Sequence, residues 1–111
     1  MVNLKKTFED AAAEMGDKLI AAVVGIDDRA EYDSPERDSE IIRQVWAWDE
    51  AAKMIDYEYD SGFGGADCHA VIAWGEKFVY FVHEYDGATG IQKVPRNPMP
   101  CSPYWADVSK V

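Results

Sequence analysis

Two apolar runs, residues 68–74 and 78–85, are separated by nothing more than Gly75-Glu76-Lys77. Both are rich in Val, Ile, Phe, Tyr and Trp, which suit a pleated surface, and both are short for helices. They predict an antiparallel hairpin. Asp86-Gly87 offers a second hairpin turn, into a third strand at 90–94. A three-residue loop at 75–77 pairs Trp74 with Phe78 and places Ile72, Trp74, Phe78, Tyr80 and Val82 on one face. The other face then shows Val71, Ala73, Val79 and Phe81, flanked by His69 and His83. Since both faces are apolar, each needs a cover: helices on one, and the C-terminal tail or a second subunit on the other.

Upstream, the period changes. Leu4, Phe8, Ala11, Ala12, Met15, Leu19, Ala22, Val23 and Ile26 recur at helical spacing and predict an amphipathic helix over 3–24. Gly16 weakens its middle by about 1 kcal/mol relative to Ala, and Gly25 is a natural stop. Ser34-Pro35-Glu36 combines a side-chain cap, a proline at the first helical position and an acid near the dipole's positive end. With the stripe Ile41, Val45, Trp48, Ala52 and Ile55, it predicts a second helix over 35–55. Tyr57 and Tyr59 alternate with Asp56, Glu58 and Asp60, a short strand at 56–60. Four of the five prolines fall between Pro95 and Pro103, so the tail is an extended arm anchored by Tyr104 and Trp105. The expected fold is α+β: two N-terminal helices on a small antiparallel meander, one domain over 1–111.

Charge narrows the partners. The net charge is −10, and residues 27–60 hold twelve acids against Arg29, Arg37, Arg43 and Lys53, which accounts for −8 of it. Such a field repels nucleic acid and anionic membrane and attracts basic surfaces. The expected partner is therefore a protein with a basic surface. The residues expected to meet it are Asp27, Asp28, Glu31, Asp33, Glu36, Asp38, Glu40, Asp56, Glu58 and Asp60, with Tyr57, Tyr59 and Phe63 as desolvated anchors. A plainer reading is acid for solubility alone.

Few residues have the spacing of chemistry. Asp56, Glu58, Asp60 and Asp67 occupy positions 1, 3, 5 and 12 of a calcium-type loop. Ser61 stands where glycine is needed and Asp67 where a bidentate Glu belongs, so alternating acids on a strand are the expected reading. The three-residue hairpin loop sets His69 opposite His83, but no third ligand accompanies them. Cys68 and His69 are adjacent on a strand and point to opposite faces, which rules out a thiolate with its base. There is no nucleophile elbow, Walker loop or dinucleotide fingerprint. The expectation is a non-enzyme without cofactor or metal. Cys68 and Cys101 are expected to be free thiols. The N-terminus has no apolar run after Lys5-Lys6, and Leu19 to Val24 is too short to span a bilayer.

The stretch Asp56-Tyr57-Glu58-Tyr59-Asp60-Ser61-Gly62-Phe63-Gly64-Gly65, followed by a hairpin and Glu84-Tyr85-Asp86-Gly87, covers about a third of the chain. It resembles short uncharacterised proteins of phages and mobile elements that share an Asp-Tyr-x-Tyr-Asp-x-Gly-aromatic-Gly-Gly stretch and a later Glu-Tyr-Asp-Gly turn. The resemblance implies an accessory phage role in the cytoplasm of a bacterial host, such as an anti-CRISPR inhibitor, and carries no catalytic residues. An alternative is a dimeric sponge for a nucleotide-like immune signal, for which Arg29 and Arg96 are the candidate cations. A homodimer fits either role.

Overall fold

The computed structural model describes residues 1–27, 43–62, 68–85, 88–104 and 108–110. The chain runs β1 (Val2–Asn3), α1 (Leu4–Glu14), β2 (Leu19–Asp27), β3 (Val45–Ala47), α2 (Trp48–Met54), β4 (Glu58–Tyr59), β5 (His69–Gly75), β6 (Phe78–Tyr85), β7 (Ala88–Pro95), β8 (Ser102–Pro103) and β9 (Val108–Lys110). The main sheet is antiparallel in the order β3-β2-β5-β6-β7, with the pairs β1-β4 and β8-β9 beside it. The described fold is thus mostly β with two short helices. The expected architecture of two long N-terminal helices on a small meander is overturned.

The first helix ends early for a local reason. Asn3 caps its start, Oδ1 accepting from the Lys6 N–H at 2.9 Å, and Leu4, Phe8 and Ala12 form its buried stripe. Gly16 then takes φ +60°, and the N–H groups of Met15, Gly16 and Asp17 close on the carbonyls of Ala12 and Ala13. That left-handed stop ends α1 at Glu14. Beyond it, Leu19-Ile20-Ala21-Ala22-Val23-Val24 is apolar on both sides, and such a run satisfies a helical stripe and a buried strand equally. It becomes β2, an interior strand of the sheet.

The second expected helix, 35–55, is replaced at its C-terminal half by a strand and one short helix. Val45 and Trp46 pair with Val23 and Ala22, leaving α2 seven residues with Asp49 and Glu50 in its first turn and Lys53 in its last. The Ser34-Pro35-Glu36 start lies outside the described residues, as do Asp86-Gly87. The expected strand at 56–60 shrinks to β4, while the third meander strand lengthens to Ala88–Pro95.

Both helices cover one side of the sheet. Leu4, Phe8 and Ala12 of α1 join Trp48, Ala51 and Ala52 of α2, and with Ala22, Val24, Val71, Ala73, Phe78 and Tyr80 they form one buried cluster. The Phe8 and Trp48 rings meet at 6.3 Å and a 51° tilt.

The β5–β6 register differs by one residue from the expected one. Ala73 pairs with Tyr80 and Trp74 with Val79, so Gly75 stays in the strand and the turn is Glu76-Lys77 alone. The cause is Asp17. Its Oδ1 accepts from the Lys77 N–H at 3.0 Å, and its Oδ2 accepts from the Phe78 N–H at 3.0 Å and the Tyr80 hydroxyl at 2.9 Å. Gly75 makes room for the carboxylate, because a Cβ there would overlap it. One residue of slip moves a strand's whole side-chain set to the other face. Val71 and Ala73, not Ile72 and Trp74, therefore share the helix-covered face with Phe78, Tyr80 and Val82.

Replacing Asp17 with Ala strands the Tyr80 hydroxyl and two turn amides, so urea unfolding should show a loss of about 3 kcal/mol. Burial, and then the hydrogen bond and charge of Asp17, push the Tyr80 hydroxyl above its ordinary pKa of 10.0. A raised pKa favours the folded state only while the tyrosine stays protonated. Stability should therefore fall as pH rises past about 10, and the fall should be smaller in Tyr80→Phe when urea midpoints are followed against pH.

Candidate partner-binding surface

The helical layer gathers acid. Residues 4–18 and 48–60 hold nine carboxylates (Glu9, Asp10, Glu14, Asp17, Asp49, Glu50, Asp56, Glu58 and Asp60) against Lys5, Lys6, Lys18 and Lys53, which leaves −5. Three of these lysines are engaged in ion pairs: Lys6 with Asp10 at 3.1 Å, Lys53 with Glu50 at 3.5 Å and Lys5 with Asp56 at 3.9 Å. These exposed pairs each contribute well under about 1 kcal/mol, and they leave the sign of the surface unchanged.

Trp48 sits at the centre of this surface, its ring nearly covered. Three open hollows surround it, and all three share Asp49. One of about 310 Å³ lies between the helices and is lined by Lys5, Glu9, Ala52, Lys53 and Asp56. A second, about 280 Å³, runs past Glu9, Ala12 and Ala13 to Asp17 and Lys18. The third, about 390 Å³, continues to Ala47 and Glu76. Together they form a shallow groove with an apolar floor at Trp48 and Leu19 and more carboxylates than lysines on its walls.

The expected site residues divide. Asp56 reaches the groove rim, where its Oδ1 accepts from Asn3 Nδ2 at 2.9 Å, and Glu58 and Asp60 are exposed beyond it. Asp27 ends β2 at the register position opposite His69. Asp28, Arg29, Glu31, Asp33, Glu36, Asp38, Glu40, Phe63 and Asp67 lie outside the described residues. Tyr57 and Tyr59 are not exposed anchors. Tyr59 is 2% exposed and belongs to the core, its hydroxyl 2.9 Å from Thr89 Oγ1, and burial raises its pKa. Tyr57 is half-buried and accepts from the His69 N–H at 2.8 Å. With Nδ1 of His69, at 2.7 Å, accepting its proton, the Tyr57 hydroxyl is satisfied in both directions. Arg96 donates from Nη1 to the Gly75 carbonyl at 3.0 Å, clamping the hairpin turn.

The two histidines do not face each other. With Ala73 opposite Tyr80, His69 lies on the helix-covered side by alternation with Val71, and the exposed His83 shares the side of Phe81. Cys68 precedes β5 and belongs to the buried cluster, while Cys101 is exposed, and neither takes part in a disulfide. Among the described residues, no three His, Cys, Asp or Glu side chains gather as a metal-binding group. No described helix is long and apolar enough to cross a membrane.

Glu9 and Trp48 were not among the residues expected at the surface. Glu9 lies outside the acidic stretch in sequence, and Trp48 reads simply as core, so only the packing of α1 against α2 joins them to Asp49 and Asp56. Comparison with family models, curated proteins and solved structures finds no match to this chain.

Tyr57→Phe removes both hydrogen bonds to His69. It should lower stability by about 1–2 kcal/mol in urea unfolding and shift the His69 ring resonances in a nitrogen-edited NMR spectrum.

Proposed function

We propose that this chain is a small non-enzymatic inhibitor that binds a basic, nucleic-acid-binding host protein through its acidic helical layer. In this reading it acts as a phage-encoded antagonist of bacterial immunity of the anti-CRISPR kind. The observation that carries the reading is the segregation of charge: Glu9, Asp17, Asp49, Asp56 and Glu76 line the hollows around Trp48 against Lys5, Lys18 and Lys53, with further acids on the surrounding surface. Carboxylates there take the place of backbone phosphates on the target's basic groove. Association is then fast and weakens with salt. The resemblance of residues 56–65 and 84–87 to phage proteins gives the biological setting. The alternative, a ligand sponge, would draw on Arg96, whose Nη1 donates to the Gly75 carbonyl at 3.0 Å.

Expression of the chain in bacteria with active CRISPR immunity should restore plating of a targeted phage in at least one effector type. The triple change Glu9→Lys, Asp49→Lys and Asp56→Lys should abolish that rescue, and it should weaken binding to the purified effector at least about tenfold at low salt. No rescue across effector types contradicts the immune role. Rescue untouched by the triple change contradicts the acidic surface as its basis.

A further inference from the structure

The side of the main sheet away from the helices carries no Asp, Glu, Lys or Arg at its described strand positions, although 29% of the chain is charged. Ile72 and Trp74 stand on β5 at its centre, Val79 and Phe81 beside them on β6, and Val45 and Val94 on the two edge strands. Val45 is 63% exposed, Ile72 44% and Val94 42%. A sheet face that meets water normally alternates to polar side chains; here Gln92 and the exposed His83 are polar toward the β6–β7 side, and the rest, uncharged and apolar from Val45 through Ile72 to Val94, marks an interaction surface.

We infer that this face seats a second copy of the same chain, packed sheet on sheet. Size is the first argument. Five strands about 4.8 Å apart and about seven residues of 3.3 Å each give a footprint of roughly 550 Å². Two copies bury about 1,100 Å², above the roughly 1,000 Å² at which specific interfaces begin. Symmetry is the second. β5 is the third of five strands, so a two-fold axis in the interface plane lays β5 over its own copy. That puts Trp74 and Ile72 at the middle, where desolvated anchors contribute most.

Charge is the third argument, and it decides between faces. Two chains of −10 pairing through their helices would press carboxylates against carboxylates. Paired through the sheets, which pack about 10 Å apart with each helical layer about 10 Å further out, the acidic surfaces stand some 30 Å apart. That is about three screening lengths at 0.1 M salt. A different protein would have to bring an equally broad uncharged face. The dimer leaves both acidic layers outward.

Sedimentation velocity of the full chain, from low to high micromolar concentration, tests this. The chain should pass from monomer to dimer, and added sodium chloride should tighten the dimer by screening the residual repulsion, opposite to its effect on an acidic-surface partner. Ile72→Lys should weaken dimerisation at least about a hundredfold, because each copy would bury an unpaired charge. Val45→Lys, at the more exposed margin, serves as the second variant if Ile72→Lys alters the circular dichroism. Val2→Lys, on the separate β1-β4 pair, should leave the dimer unchanged. A chain that stays monomeric throughout overturns the inference, whether the face is bare or covered by another protein. So does a dimer that survives both sheet variants.

Discussion

The carboxylate of Asp17 grips the turn between β5 and β6, and the arrangement of both faces follows from that grip. It accepts from the amides of Lys77 and Phe78 and from the Tyr80 hydroxyl, against a strand that must carry glycine at Gly75. The residue is delivered there by the end of α1, where Gly16 reverses the backbone and returns the Asp17 N–H to Ala12. Helix stop, hairpin turn and strand register are therefore one device. A looser turn would let β5 slip by one residue, carrying Trp74 under the helices and Ala73 into water.

That device shows what the amino-acid pattern reveals. The β5–β6 hairpin and the third meander strand follow from local rules, because their signals lie within a few residues, whereas Tyr57 and Tyr59, expected as partner-facing anchors, turn inward once β4 pairs with β1. The register does not, since Gly75-Glu76-Lys77 accommodates a two- or three-residue loop and the deciding hydrogen bonds come from Asp17, some sixty positions away. The run from Leu19 to Val24 misleads for a different reason. An interior strand is apolar on both sides, and that erases the alternation which would distinguish it from a buried helix. Of the acidic surface, Asp56 was legible as part of a charge run, whereas Glu9 joins it only when α1 and α2 pack side by side.

The result is a thin two-layer molecule with contrasting faces. Its helical layer is acidic around Trp48 and Asp49, and its sheet face is uncharged around Ile72 and Trp74. Electrostatics favours different partners for the two: a basic surface for the first, and a neutral apolar one for the second. Because each would be addressed by its own physical interaction, salt would move the two proposed associations in opposite directions. A chain built this way can pair with itself and still present its charge outward.

The assignment of residues to faces rests on the β5–β6 register, and interstrand nuclear Overhauser contacts report that register directly. The structure requires contacts between Ala73 and Tyr80 and between Trp74 and Val79. Contacts between Trp74 and Phe78 in their place would contradict it, because Trp74 would then lie beneath the helices and the uncharged face would lose its centre.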